Sequence, residues 1–290
     1  MPVAVPLPPL VEYQIALERL HFSCGFIDGE GGDRTARMLA AFQRSRNLPV
    51  TGQADAATWQ ALAAAPAAAP FTTYTVTQAD FDAVLPAPTT WLAKSQAPSM
   101  AYNDIWEVLG AKFHSKRSWL RQLNPDQNPP AVGSVLRVPN LQPQSGSPPI
   151  AAASVKISLS GHWIEALDGE GRPVAHFPCS IAKDKDKRPE GSLFVQVIAA
   201  HPNYTFDPKL FADAAQKEGI THRLVIPPGP KNPVGSMWIG LSLPTYGIHG
   251  TPEPENIART GSHGCFRLAD WNAEALARMV RIGTPVDVEP

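Results

Sequence analysis

Two stretches of this chain lack the side chains needed to build a core, and they decide how the rest can fold. The first is Ala63-Ala64-Ala65-Pro66-Ala67-Ala68-Ala69-Pro70, where nothing larger than a methyl group is available for burial and proline interrupts any helix. The second, Gln142 to Pro149, is built from Pro, Ser, Gln and Gly. A length of 290 residues already exceeds what one core usually organises, so three separately patterned segments are expected.

From Leu10 onward apolar residues recur at helical spacing: Ile15, Leu17 and Leu20, then Met38, Leu39 and Phe42, then Trp59 and Leu62. Turn signals at Ile27-Asp28-Gly29, Gly31-Gly32-Asp33 and Thr51-Gly52 separate them, so the segment reads as three short helices. The middle segment opens on the strand-like Tyr74-Thr75-Val76 and closes on Ser134 to Pro139. Two helices lie between, one carrying Ile105, Trp106 and Leu109, the other Trp119, Leu120 and Leu123 before Asn124-Pro125 stops it. Beyond Ala151 short alternating runs such as Val155 to Leu159 and Ser192 to Val197 predict a mostly β domain, interrupted by one helix from about Trp271 to Arg281 with Gly283 as its stop. The expected fold class is therefore multidomain α+β. It comprises a tail (1–9), a small all-α domain (10–65), a linker (66–72), a small α/β module (73–141), a second linker (142–150) and a mostly β domain (151–290).

Composition excludes several classes of function. A formal charge of −1 gives no basic excess for nucleic acid, and no apolar run is long enough to span a membrane. The start, Met1 to Pro9, lacks the basic and apolar regions of a secretory signal peptide. With only Cys24, Cys179 and Cys265, no disulfide framework holds the fold.

Chemistry gathers near the C-terminus. Tyr246-Gly247-Ile248-His249-Gly250-Thr251 is followed, after a loop rich in Pro and Glu, by Gly261-Ser262-His263-Gly264-Cys265-Phe266-Arg267-Leu268. A thiol is mostly protonated at neutral pH, and an imidazole that takes its proton makes the nucleophile. Gly264 would let the backbone turn sharply and a substrate carbonyl approach Cys265, with the two backbone N–H groups as an oxyanion hole. Gly250 would offer its carbonyl to the far nitrogen of His249 and fix the tautomer, a role that needs no acidic residue. A zinc site on His249, His263 and Cys265 is the competing reading, but no CxxC or HxxxH spacing supports it. Cys24 and Cys179 read as core residues. His21, His114, His162, His176, His201 and His222 read as surface or satisfied core positions, His222 with slight suspicion as a wall of the cleft. Trp91, Trp106 and Trp119 are expected in cores rather than as a sugar platform, and Lys183 to Arg188 as a solvated hairpin tip.

The segment around Cys265 resembles the signature of the L,D-transpeptidase (YkuD-type) family, a His-Gly pair followed by Ser/Thr-His-Gly-Cys, a hydrophobic residue and Arg or Asn. Flanking pieces, Arg188-Pro189-Glu190-Gly191, Pro227 to Gly235 and Trp238 to Leu241, extend the resemblance over 151–290. It implies a β-rich domain in which Cys265 attacks the carbonyl of meso-diaminopimelate in a peptidoglycan tetrapeptide stem, D-Ala leaves, and an amine of a second stem captures the acyl group. His249 would be the base, Gly250 its orienter and Cys265 the nucleophile, with His263 shaping the site. Ser262, Arg267 and Tyr246 would contact substrate or order the loop. No cofactor or metal is implied. Leu20 to Leu62 resembles a three-helix peptidoglycan-binding domain, through Gly25 to Gly29, Phe42-Gln43, Leu48 to Gly52 and Thr58-Trp59. Tyr74 to Asn140 resembles a LysM module, with Thr77 to Ala101 inserted where the first strand should lead almost directly into a helix. An intact sugar groove and a rigid spacer or lid over the enzyme are both open for it. The partners implied are peptidoglycan stem peptides and glycan, the location the bacterial periplasm or cell envelope, and the default state a monomer. Two alternatives stand beside cross-linking: an L,D-carboxypeptidase or hydrolase using the same acyl-enzyme, and a wall-binding protein with an inactive catalytic domain.

Overall fold

A computed structural model describes residues 9–63, 69–86, 88–141, 150–259 and 264–290. The N-terminal all-α region consists of α1 (Leu10–Glu18), α2 (Asp33–Ser45) and α3 (Ala56–Ala63) around Tyr13, Leu17, Phe22, Met38, Phe42 and Leu62. A buried amide locks its loops. Gln43 of α2 accepts the N–H groups of Thr51 and Gly52 at 2.9 Å each and donates to Thr58 Oγ1 at 2.9 Å, so the turn before α3 is hydrogen-bonded without solvent.

The middle region is α/β. Strands β1 (Phe71–Thr75) and β2 (Val135–Pro139) pair antiparallel, and α6 (Ile105–Lys112) and α7 (Arg117–Leu123) pack on them through Trp106, Leu109 and Leu120. Asp104 starts α6 by accepting the Glu107 N–H at 3.0 Å. The inserted segment holds two helices that the apolar periodicity did not predict, α4 (Gln78–Asp82) and α5 (Trp91–Gln96). The first is announced only by its capping box, Thr77 with Asp80. The second buries no residue fully and rests its Trp91 ring on another part of the chain, so its Thr90 N-cap marks its start but no apolar stripe marks its length.

The C-terminal region is mostly β: β3 (Ser154–Ser158), β4 (Trp163–Leu167), β5 (Pro173–Pro178), β6 (Gly191–Ala200), β7 (Tyr204–Phe206), α8 (Ala212–Glu218), β8 (Leu224–Ile226), β9 (Met237–Leu241), β10 (Gly247–His249), β11 (Phe266–Arg267), α9 (Asp270–Met279) and β12 (Pro285–Glu289). Eight strands form one sheet in the order β11-β10-β9-β6-β12-β3-β4-β5, while β7 and β8 pair separately around α8. Just beyond β5, Ser180 exchanges two 2.9 Å backbone hydrogen bonds with Arg267 of β11. The sheet therefore curls into a half-barrel, and α9 fills it with Leu276 and Met279 against Ile157, Ile239, Ile248 and Phe266. Helix α8 lacks an apolar stripe and was not expected. Lys183 to Lys187 is solvated as expected, but it joins β5 to β6, which are not sheet neighbours, so it is a crossover rather than a hairpin tip.

The three regions are pinned together. His21 and Ser23 hydrogen-bond to His176, covering the β5 edge, and the buried Glu165 binds both His176 Nδ1 at 3.0 Å and Arg44 of α2. Trp271 of α9 lies edge-on to Phe26 and flat against His114 at 4.9 Å. Trp91 stacks on Phe206 at 4.5 Å, and the Glu218 carboxylate accepts the N–H groups of Trp91 and Leu92 at 3.1 Å each. Trp106 and Trp119 pack in the core of the middle region and Trp91 in the cluster around Phe206, so the three do not form one platform.

Candidate active site

Pairing of three strands builds the site. β10 runs antiparallel to β9, with His249 opposite Trp238, and parallel to β11, with Ile248 opposite Phe266 and His249 opposite Arg267. Ile248 and Phe266 are buried in the core, and side chains alternate along a strand. Gly247 and His249 therefore face the other side, and Cys265, one residue before β11, falls beside Gly247.

His249 is held by a ring on one face and a carbonyl at its edge. The Trp238 ring stacks on the imidazole at 5.6 Å and 21°. That ring occupies the space a side chain at 247 would fill: a Cβ on Gly247 would lie 2.6 Å from Trp238 Cζ2. His249 Nδ1 is 2.6 Å from the Gly250 carbonyl oxygen. A carbonyl oxygen can only accept, so Nδ1 carries the proton and Nε2 the lone pair. Burial pushes the imidazole pKa down to about 4; the Gly250 carbonyl opposes this and the Arg267 charge adds to it.

Cys265 is half-buried, its thiol 3.5 Å from the Thr245 carbonyl oxygen. Burial raises its pKa, while the Gly247 N–H and the Arg267 guanidinium favour the thiolate. Arg267 thus has two parts to play: its backbone closes the half-barrel on Ser180, and its charge acts on both His249 and Cys265. The backbone bends at Gly264 and Cys265, and a Cβ on Gly264 would stand 3.6 Å from the Tyr246 ring. Tyr246 donates to the Lys187 carbonyl at 3.1 Å. Ser262 and His263 lie outside the described residues.

Other neighbours had no sequence signal. Tyr204 of β7, pushed up to about 12 by burial and by the charge of Cys265, stands within electrostatic reach of the sulfur. Asp270, the first residue of α9, lies half-buried under the His249-Gly250-Thr251 backbone, where its Oδ1 accepts the Thr251 N–H at 3.0 Å and the Ser236 N–H at 3.3 Å. Neither residue belongs to the motif, and only the chain fold brings them here. Cys24 and Cys179 are buried with strongly raised thiol pKa values, as core cysteines are. Among the described residues no three His, Cys, Asp or Glu side chains converge as a metal site. His222 is exposed in the turn before β8. A cavity of 410 Å³ between the N-terminal region and the loop before the motif is lined by Arg34, Arg37, His162 and Arg259, with Asp28, Glu30 and Asp33 at its wall. Arg34 Nη1 and His162 Nδ1 are buried there without a hydrogen-bond partner among the described residues.

Residues 153–288 match the family profile "L,D-transpeptidase catalytic domain", and residues 8–62 match "Putative peptidoglycan binding domain". The chain carries a YkuD-type L,D-transpeptidase catalytic domain behind a peptidoglycan-binding domain. Neither stretch includes the middle α/β region. Over 186 residues the chain is 26% identical to "Putative L,D-transpeptidase YkuD" of Bacillus licheniformis, which covers 63% of this chain and 93% of the relative. Over 115 residues it is 30% identical to "Putative L,D-transpeptidase YqjB" of Bacillus subtilis, covering 38% and 56%. Among solved structures, an L,D-transpeptidase from Mycobacterium smegmatis is 20% identical over 47% of this chain and 58% of its own, at a TM-score of 0.34. Within the L,D-transpeptidase domain, the half-barrel closure at Ser180 and Arg267 and the strand pair β10-β11 are what place Cys265 and His249 on one face.

Proposed function

We propose that this protein is an L,D-transpeptidase that cross-links peptidoglycan through a thioester on Cys265. The observation that carries this reading is the tautomer of His249: with Nδ1–H held by Gly250, the acceptor nitrogen Nε2 is left for the thiol of a cysteine on the same face of the strand pair. In the acylation step the Cys265 sulfur bonds to the carbonyl carbon of the stem's meso-diaminopimelate. His249 takes the thiol proton and hands it to the amine of D-Ala as the C–N bond breaks. In the second step an amine of another stem attacks the thioester, and its proton returns through His249 to the sulfur.

The N–H groups of Gly264 and Cys265 serve as oxyanion donors, each worth about 2.7–4 kcal/mol by analogy with known cases. Arg267 favours the thiolate, Tyr246 walls the cleft beside Gly264, and the motif implies that Ser262 contacts substrate and His263 shapes the site. No cofactor takes part. The protein works in the bacterial periplasm or cell envelope, where its substrate lies. The arginine-lined cavity beside the peptidoglycan-binding domain suits stem carboxylates. Support for a LysM-like middle module is its β1-α6-α7-β2 arrangement, and the docking of α5 on β7 and α8 favours the spacer or lid reading of the insertion.

Incubating the purified protein with disaccharide-tetrapeptides and resolving the products by mass spectrometry tests this function. Dimers with loss of D-Ala are expected. Tripeptide monomers alone would replace the reading with hydrolysis.

A further inference from the structure

The peptide group joining Gly250 to Thr251 has both polar ends engaged. Its carbonyl oxygen accepts His249 Nδ1–H at 2.6 Å, and its N–H donates to Asp270 Oδ1 at 3.0 Å. Histidine, peptide and carboxylate therefore form one continuous chain of hydrogen bonds. The carboxylate is fitted closely into this place. A Cβ on Gly250 would stand 1.8 Å from Asp270 Oδ1, and one on Gly235 would stand 2.0 Å from it, so two glycines make the room it occupies. Desolvating a carboxylate, even a half-buried one, is costly, and a neutral side chain would spare the fold that cost.

We propose that Asp270 is a positioning residue for the base, acting on His249 through the Gly250–Thr251 peptide group. The inference rests on the reading of His249 as the base. A negative charge at the N–H end polarises the amide and shifts electron density to the Gly250 oxygen. The Nδ1–H bond then strengthens, and Nε2 becomes more basic. The arrangement does the work of the carboxylate in a Ser-His-Asp triad, with a backbone amide interposed. It matters because burial and Arg267 both lower the basicity of His249.

The groups facing Asp270 are Glu274 on α9, Lys231 from the loop before β9, and Glu107 and Tyr102 from the middle region. Burial, with Glu274 adding to it, raises the Asp270 carboxyl to about 7 against the N–H groups of Ser236 and Thr251 and the Lys231 charge. The charge that drives the relay therefore appears as pH rises through neutrality.

The test compares wild type, D270N and D270A in the full chain. D270N keeps an acceptor for the Thr251 N–H and removes the charge, and D270A removes both. Acylation by imipenem is followed against pH, and the His249 imidazole is titrated by ¹⁵N NMR. In wild type the acylation rate should rise between about pH 6 and pH 8. D270N should be flat across that window and about tenfold slower above it, with unchanged affinity, and D270A slower still. In D270N the His249 pKa should fall below its wild-type value. A D270N protein with the wild-type rate and pH profile, or with unmoved His249 resonances, overturns the proposal. If wild type forms no adduct, the transpeptidase reading fails instead, and the NMR titration still decides the relay.

Discussion

Burial drives the proposed base and nucleophile in opposite directions, His249 down to about 4 and the Cys265 thiol above its ordinary range. At neutral pH the resting site therefore holds a neutral thiol beside a neutral imidazole, rather than a preformed ion pair. The proton moves during attack, when substrate and oxyanion donors compensate the charge. Iodoacetamide should accordingly alkylate Cys265 at pH 7 no faster than it alkylates an ordinary free thiol, with the rate climbing steadily toward alkaline pH. A rapid reaction already at its plateau by pH 6 would mean a stable thiolate and imidazolium.

Each element at the site is placed by a contact that can be broken singly. Trp238 lies over the β-strand where Gly247 has no side chain, so Gly247→Ala should displace the ring, destabilise the protein by about 1–3 kcal/mol and slow acylation by loosening His249. Thermal melting and imipenem kinetics measured together check this, and an Ala variant unchanged in both would contradict it. Glu218 accepts the Trp91 and Leu92 N–H groups at the start of α5, beside the Thr90 cap on Ala93, so Glu218→Ala should loosen the insertion and open new cleavage sites between residues 88 and 99 in limited proteolysis. The wild-type digestion pattern would count against that role. Legibility in the sequence follows the same division. The proposed triad of His249, Gly250 and Cys265 is legible because its residues sit in contiguous motifs, and the helices of the N-terminal region because their apolar faces repeat locally. Asp270, Tyr204, α5 and α8 could not be read, since each owes its place to a partner far away in the chain: Thr251, Cys265, Phe206 and Trp91 respectively.

Across the whole molecule, the N-terminal region completes the edge of the catalytic sheet. The chain from His21 to Ser23 pairs with β5, and Glu165, whose pKa stays below the ordinary carboxylate value despite burial, is shared by His176 and Arg44. Removing Arg44 leaves a buried carboxylate with one partner fewer, so Arg44→Ala should cost about 1–3 kcal/mol. Calorimetry should show the loss as a lower midpoint of a single transition, because the contact couples two regions. Two separated transitions in wild type would show that the regions melt independently. The same two regions also meet at the cavity lined by Arg34, Arg37 and Arg259 with Asp28, Glu30 and Asp33. The nucleophile itself is tested most directly by mass spectrometry of the intact protein after incubation with imipenem. The wild type should gain one carbapenem adduct, located by peptide mapping on the fragment holding Cys265, and Cys265→Ala should gain none. An undiminished adduct on the Cys265→Ala protein would contradict the account.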